Sequence, residues 1–286
     1  MLEIVLGSEV LSSGRLSRHE LRTRYVKLHR DVYAPANRQL TAFDRAVAAW
    51  LWSRGEAILV GASAAAVLGS RWLAADAPAE LGRMRHHAPA GIMIRADAIA
   101  DDEQQVTRGM KCTTPARTAY DLGRRLTGEN AIVRVDALMN ATKVSVARTQ
   151  SIAERYPGAR GIRQLRATLE LVDGGAESPQ ETRLRLLLVG SGLPRPMTQI
   201  PVKNDYGKVA RRIDLGYPEA KVGVEYDGEQ HFTNPDDYAN DIERLEFLAD
   251  KGWTIVRVSA RQLRYDRQQI VSRVRTALAR AGTQYA

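Results

Sequence analysis

Residues 213–231 read IDLGYPEAKVGVEYDGEQH, and this stretch predicts two short strands joined by a tight turn. Branched and aromatic residues flank a Gly/Pro break, which is the pattern of a hairpin. Side chains alternate between the two faces of a strand, so Glu225 and Asp227 share one face of the second strand. The hairpin brings Asp214 of the first strand opposite Gly223 or Glu225, in a register that the sequence leaves open. We therefore expect three carboxylates on one small patch.

On the first strand, Asp214 is expected to lie on the face opposite Ile213 and Leu215. Three unpaired negative charges repel each other, so such a patch needs either arginine partners or a bound cation. A bound cation would indicate a nuclease. Arginine partners would indicate a salt-bridged cluster on a DNA-binding domain that has lost nuclease activity. The cations expected to balance the charges in the second case are Arg211, Arg212 and Lys221.

Size and composition limit the class of protein. A chain of 286 residues predicts two domains or more, and a net charge of +9 favours an anionic partner such as nucleic acid. Cys112 is the only cysteine, which excludes an internal disulfide and a zinc site built on several thiolates. No apolar run reaches the length of a membrane span and residues 1–10 lack the features of a signal peptide, so we expect a cytoplasmic protein with no membrane partner.

The first 40 residues predict a small DNA-binding domain. Residues 1–12 indicate a short apolar helix, and Ser17 can cap a second helix with Glu20 at the matching capping-box position. Residues 26–33 then alternate like a strand, and helix, helix and short hairpin is the order of a winged helix-turn-helix domain. The basic residues expected to contact phosphates are Arg15, Arg18, Arg22, Arg24, Lys27 and Arg30, with a solvated basic face as the alternative.

Residues 14–21 (GRLSRHEL) and 30–33 (RDVY) resemble the N-terminal winged-helix domain of the AbiEi family of antitoxins, over roughly residues 5–70. Asp31 stands where that family commonly has Gly, which puts an acid in the expected wing turn. We place the winged-helix domain at 1–75 and a mixed α/β connecting or interaction module at 76–173. That module is expected to hold strands around 90–99 and 106–112, followed by helices at 115–126, 129–141 and 144–155.

The third predicted domain covers residues 174–286. Ser178 caps a helix with Pro179 at its first position, and Glu181 completes a capping box. Strands follow at 197–203, around Asp214 and around Glu225, then a helix to Gly252, a strand at 253–258 and a basic closing helix at 266–281. The order is αβββαβα, and the helical crossover between the last two strands predicts that they are parallel.

This order and four motifs resemble the PD-(D/E)XK nuclease fold, in the branch related to very-short-patch-repair (Vsr-like) endonucleases. The matching residues are Ser178, Pro179, Glu181 and Leu184 in "SP.E..L"; Arg212 and Asp214 in "R.D"; Val224, Glu225, Asp227, Gly228 and His231 in "(V/I)E.DG..H"; and Asp241, Arg244, Leu248 and Gly252 in "D..R...L...G".

The resemblance implies a DNA endonuclease that hydrolyses phosphodiester bonds with Mg²⁺ (or Mn²⁺) and an activated water. Asp214 and Glu225 would hold the metal with help from the Tyr226 carbonyl, and Asp227 is a further ligand. Three further roles are implied: Glu181 orients the water or holds a second ion, His231 protonates the leaving oxygen or contacts phosphate, and Arg212 supplies positive charge. Asp227 stands where most members carry a lysine, which implies either a second-ion site or neutralisation by a base from elsewhere, with Arg212 as the nearest candidate. Arg264 and Arg267 of the closing helix add DNA contacts.

Alternatives remain at this stage. Glu181 can be only a helix cap and His231 only a loop hydrogen bonder. The whole chain can be a non-catalytic DNA-binding regulator, similar to an antitoxin, with a degenerate nuclease fold. DNA versus RNA, single versus double strands, and whether the protein is a homodimer stay open.

Overall fold

The computed structural model describes residues 3–82, 87–228 and 235–282, and the chain divides into two compact units, Met1–Gly174 and Gly175–Ala286. Both units mix helices and strands, as the sequence predicts. The three-part division at 1–75, 76–173 and 174–286 stays a prediction. No helix in the described parts of the chain is long and apolar enough to cross a membrane.

The first unit begins with a small sheet and three helices: β1 (Val5–Leu6), α1 (Gly7–Ser12), α2 (Arg18–Arg24), β2 (Tyr25–His29), β3 (Val32–Pro35) and α3 (Ala42–Trp52). The strand order is β1-β3-β2, with both pairs antiparallel. Residues 5–6 form a strand where the sequence predicted helix, because Val5 and Leu6 pair with Tyr33 and Val32. The helix, helix and hairpin order is present; its identity as a DNA-binding winged helix stays a prediction.

The capping box of α2 is confirmed. The backbone N–H of Glu20 donates to Ser17 Oγ (3.2 Å), and the Glu20 carboxylate accepts from the N–H of Ser17 (2.9 Å). Asp31, in the turn between β2 and β3, has a left-handed φ of 62°. Its carboxylate accepts from the N–H and hydroxyl of Ser8 (2.8 and 2.6 Å) and pairs with Arg54 (2.6 Å). The acid in this turn is therefore paired within its own unit.

The rest of the first unit is a five-stranded sheet covered by helices. The elements are β4 (Ile58–Leu59), α4 (Gly61–Val67), β5 (Ala79–Gly82), β6 (Ile92–Arg95), β7 (Gln104–Thr107), β8 (Met110–Thr113), α5 (Pro115–Arg125), α6 (Gly128–Thr142), α7 (Val146–Arg155) and α8 (Ile162–Leu171). The strand order is β6-β5-β4-β8-β7. Ala46 and Ala49 of α3 share an apolar cluster with Leu59 and Leu81 of this sheet, and Cys112 is buried in the same cluster.

The second unit has the predicted αβββαβα order with one short helix added. Its elements are α9 (Pro179–Gly190), β9 (Met197–Lys203), β10 (Val209–Tyr217), β11 (Val222–Asp227), α10 (Pro235–Asp250), β12 (Thr254–Ser259), α11 (Ala260–Tyr265) and α12 (Arg267–Arg280). The sheet order is β12-β11-β10-β9. β9, β10 and β11 are antiparallel neighbours, and β11 and β12 are parallel, as the crossover predicts.

The register of the central hairpin sets the level of the carboxylates. Leu215 pairs with Val224, so Asp214 comes level with Glu225. Ile213 and Leu215 were expected to lie on the same face of β10, and this prediction is wrong. Leu215 packs in one apolar cluster with Val224, whereas Ile213 packs in another with Ile200. The alternation of a regular strand is therefore interrupted at Asp214.

Candidate active site

Asp214 lies where the ladder between β10 and β11 opens. Backbone pairing runs from Tyr217 and Val222 to Leu215 and Val224. At the next step the N–H of Tyr226 donates to Oδ2 of Asp214 (3.0 Å). This contact fixes the carboxylate against the second strand of the hairpin.

Two other carboxylates act on Asp214. Burial, together with the charges of Glu181 and Glu225, raises the pKa of Asp214 to about 7. The N–H of Tyr226 and the guanidinium of Arg244 oppose it. The structure thus brings Glu181, Asp214 and Glu225 close enough to interact, although they come from α9, β10 and β11.

Glu225 is only 3% exposed and is held by an arginine fork. Arg244 donates through Nη1 to Oε1 (2.8 Å) and through Nη2 to Oε2 (2.6 Å) of Glu225. Burial raises the pKa of this carboxyl, while the hydrogen bonds and charge of Arg244 oppose the increase. Two parallel charge-assisted bonds fix both the position and the orientation of the carboxylate.

The ion pairs continue to the end of β11. Arg244 lies 3.6 Å from Asp241, one turn earlier on α10, and Asp241 accepts from Arg257 (2.8 Å). Arg257 of β12 also donates to Asp227 (2.5 Å). We call the five carboxylates Glu181, Asp214, Glu225, Asp227 and Asp241 the acidic cluster. Arg244 and Arg257 contact three of them.

Glu181 is 8% exposed and is held at the start of α9. Its backbone N–H donates to Ser178 Oγ (3.2 Å), as predicted for a helix cap. Its Oε2 accepts from the N–H of Glu177 (2.9 Å) and from the side-chain amide of Gln199 (3.2 Å). The predicted capping box is therefore only half formed, because the carboxylate accepts from the N–H of Glu177 and not from that of Ser178. The carboxylate also accepts from a side chain of β9, which the sequence did not indicate.

The arginines that contact the acidic cluster are not those expected. Arg212 is exposed on β10, and Lys221 donates to the carbonyl of Lys251 instead (2.8 Å). Arg244 belongs to the predicted motif "D..R...L...G", but the spacing of that motif did not indicate that Arg244 contacts Glu225. The catalytic role of Arg212 stays a prediction, and His231 lies outside the described residues.

The residue types of the acidic cluster fit a hard divalent cation. Carboxylate oxygens are the ligands that Mg²⁺ and Mn²⁺ prefer, and a cation would relieve the repulsion that raises the pKa of Asp214. In the described parts of the chain, however, no three His, Cys, Asp or Glu side chains are already placed to hold a metal. Because both oxygens of Glu225 are bonded to Arg244, a cation must compete with this arginine. The acidic cluster therefore fits a divalent cation in its ligand type and its charge, but its side chains are not already arranged around an ion.

The predicted phosphate-contacting residues lie on exposed surfaces. In the first unit these are Arg15, Arg18, Arg22, Arg24, Lys27 and Arg30, around α2 and the start of the β2–β3 hairpin. Arg24 is partly balanced by Glu20 at 3.6 Å. In the second unit Arg264 and Arg267 are exposed, with the guanidinium of Arg264 5.1 Å from the Tyr265 ring centroid.

Two stretches of the chain match models of known protein families. Residues 57–171 match the family model of the AbiEi antitoxin C-terminal domain, and residues 197–278 match REase_MTES_1575, a restriction endonuclease-like domain. The first match overlaps the predicted resemblance at 5–70 only over residues 57–70, and it is to the C-terminal domain of that family, whereas the predicted resemblance was to its N-terminal domain. It covers most of the region regarded as a connecting module.

Two relatives come from Mycobacterium tuberculosis: the uncharacterized proteins MT2308 (strain CDC 1551 / Oshkosh) and Rv2248 (strain ATCC 25618 / H37Rv). Each is 29% identical over 177 residues, which is 62% of this chain and 65% of the relative. No solved structure matches the chain significantly. The chain thus combines a stretch similar to the C-terminal domain of AbiEi antitoxins with a following stretch similar to restriction endonuclease-like domains.

Proposed function

We propose that this protein is a divalent-metal-dependent DNA endonuclease of the Vsr-like branch, which uses Mg²⁺ or Mn²⁺ and works in DNA repair or defence. The observation that carries the proposal is the placement of Asp214 between Glu181 and Glu225 at the opening of the β10–β11 ladder. Side chains from three separate elements meet there. Packing alone does not require this, because buried like charges destabilise a fold unless they are paired.

In this proposal Asp214 and Glu225 hold the cation, and the Tyr226 carbonyl and Asp227 are further ligands. When bound, the ion acts as a Lewis acid toward the scissile phosphate. Glu181, fixed through Oε2 by Glu177 and Gln199, orients the attacking water and accepts its proton. His231 donates a proton to the leaving oxygen. Arg244 and Arg257 hold Glu225, Asp227 and Asp241 in place through hydrogen bonds and ion pairs.

DNA binding is proposed for the basic surface around α2, which we regard as a winged-helix reader. Exposed arginines attract phosphates and make affinity depend on salt. Arg264 and Arg267 would add backbone contacts beside the proposed cleavage site. A second copy of the chain would allow a palindromic site to be read.

The test compares the full-length protein with Asp214→Asn on supercoiled plasmid and on labelled single strands, with Mg²⁺, with Mn²⁺ and with chelator. Metal-dependent nicking or linearisation that the variant loses supports the nuclease and shows which strand form it cuts. Asp214→Asn keeps the size of the side chain and an oxygen for the N–H of Tyr226, so loss of cutting would not reflect loss of folding. The control is a thermal unfolding temperature of the variant in chelator that is equal to or above that of wild type, which shows that the variant folds.

The second candidate is a non-catalytic DNA-binding regulator similar to an antitoxin. The observation that favours it is the arginine fork, because Arg244 occupies both oxygens of Glu225, and Arg244 and Arg257 together pair three of the five carboxylates. This candidate predicts that wild type and Asp214→Asn both shift DNA in a gel and that neither cuts it under any metal condition. The same experiment therefore separates the two functions.

A further inference from the structure

Gln199 has an unusual backbone for its place in the fold. Its φ is 51°, in the left-handed region that a residue other than glycine rarely adopts. Among the described non-glycine residues with positive φ, the other six lie in turns, bends or helix caps, whereas Gln199 lies inside a strand. This conformation costs on the order of 1 kcal/mol or more, and such strain is often found at functional sites.

The strained residue lies level with Asp214. Ile213 pairs with Ile200 and Leu215 pairs with Thr198, so Gln199 and Asp214 are the two residues between these pairs. At this level the side chain of Gln199 donates to Oε2 of Glu181 (3.2 Å). The same oxygen accepts from the N–H of Glu177, so two donors fix one carboxylate oxygen.

We propose that Gln199 is a positioning residue, whose left-handed backbone aims its amide at Glu181 and fixes that carboxylate toward Asp214. This inference rests on the nuclease function proposed above, and it adds a residue that no motif supplied. Gln199 acts through Glu181 and does not itself touch the substrate. Because small displacements of a catalytic group slow a reaction strongly, losing the amide should reduce turnover.

Gln199→Gly separates strain from positioning. Glycine adopts a φ of 51° without a steric cost, so the variant loses the amide and relieves the strain at the same time. We expect a thermal unfolding temperature in chelator equal to or above that of wild type, with single-turnover cleavage about 10- to 100-fold slower and an unchanged KM for DNA. Gln199→Asn, whose amide is one methylene shorter, should likewise fold normally and cleave slowly.

The matched control is Met197→Gly on the same strand. Met197 is 56% exposed at the start of β9, and its φ is not positive, so glycine there should lower the unfolding temperature and leave the cleavage rate unchanged. A purely structural role for Gln199 predicts the opposite pattern, in which stability falls and the cleavage rate does not.

A double-mutant cycle with Glu181→Ala tests the route of action. If Gln199 works through Glu181, adding Gln199→Gly to Glu181→Ala should slow cleavage no further. Full additivity, or a Gln199→Gly variant that cuts at the wild-type rate, overturns the positioning role and leaves the nuclease in place. If wild type itself cuts nothing with any metal, the nuclease proposal fails, and the inference about Gln199 fails with it.

Discussion

The carboxyl of Asp214 changes its charge near neutral pH. Burial, together with Glu181 and Glu225, raises its pKa to about 7 in the folded protein from an ordinary value of 3.8. Between these two values the folded state binds more protons than the unfolded state, so stability falls as pH rises from about 4 to 7 and then stays level. Each pKa unit corresponds to about 1.4 kcal/mol.

Asp214→Asn should therefore stabilise the metal-free protein at pH 8, by about 1–3 kcal/mol, and change it little at pH 4.5. The amide carries no charge to be repelled by Glu181 and Glu225. Urea unfolding in chelator at the two pH values measures the difference. With saturating Mn²⁺ the order should reverse, because only the wild type gains binding free energy from the ion. Equal stability of both proteins at every pH and metal condition would contradict a repelled carboxylate at this position.

Arg244 is expected both to stabilise the fold through Glu225 and to compete with a metal ion for that carboxylate. Its removal leaves the buried Glu225 without its fork, so Arg244→Ala should lower the free energy of unfolding in chelator by about 2 kcal/mol, less than for a fully buried pair because the arginine is 28% exposed. The same variant should bind Mn²⁺ more tightly by calorimetry, since the ion no longer competes for Glu225.

Arg212→Ala is the control for this experiment, because Arg212 is exposed and should change stability by less than about 0.5 kcal/mol. Adding Glu225→Gln to Arg244→Ala should recover much of the lost stability, since no buried charge then remains unpaired. If Arg244→Ala is as stable as wild type and binds Mn²⁺ no better, the fork has neither role.

The choice of ion-pair partners shows the limit of sequence reasoning at the level of residues. Alternation along β11 was enough to predict that Glu225, whose charge acts on Asp214, shares a strand face with Asp227. Which cations reach them depends on how α10 and β12 pack on the sheet. Spacing favoured Arg212, two residues from Asp214, whereas Arg244 reaches Glu225 across 19 residues of chain. The left-handed backbone of Gln199 is likewise marked by no local signal in the sequence.

At the level of elements, helices with strong capping signals were predicted well, whereas short strands were not. Ser178 and Pro179 located the start of α9, and Ser17 with Glu20 located α2. β4, which has only two residues, and α8 were not predicted. β1 was mistaken for helix because its two apolar residues acquire strand geometry only by pairing with β3. Such pairing is decided by distant residues.

The α2 surface allows a prediction about DNA affinity. Arg18 and Arg22 are exposed and lie one turn apart on the same helix. If both contact phosphates, the double variant Arg18→Ala/Arg22→Ala should flatten the slope of log affinity against log salt by about 1.8, since each contact contributes about 0.9. Fluorescence anisotropy with a labelled duplex, measured at several salt concentrations, gives this slope.

The matched control changes Arg163 and Arg166 of α8, which are exposed in the same unit and have no predicted DNA role. That pair of substitutions should leave the slope unchanged although it removes the same net charge. Equal slopes for both double variants would mean that α2 is an ordinary solvated face and that DNA binds elsewhere.

At the scale of the whole molecule, each of the two units has its own hydrophobic cores. In Gly175–Ala286 one apolar cluster lies between the sheet and α9, α11 and α12, and another lies between the sheet and α10. The acidic cluster and both of its arginines belong to this unit. The first unit holds separate cores around the β1–β3 sheet and the five-stranded sheet. The proposed functions of reading and cutting DNA are therefore assigned to different units.

We accordingly expect a fragment of residues 175–286 to unfold cooperatively and to keep metal-dependent cleavage, with a KM for DNA well above that of the full chain. Residues 1–174 should shift DNA in a gel and cut nothing. Asp214→Asn in the shorter fragment is the control for contaminating nuclease. If residues 175–286 fold but cut only when residues 1–174 are added back, the catalytic step itself needs the first unit. If they fold and never cut, while the full chain also stays inactive, the protein is a DNA-binding regulator whose acidic cluster is held by Arg244 and Arg257.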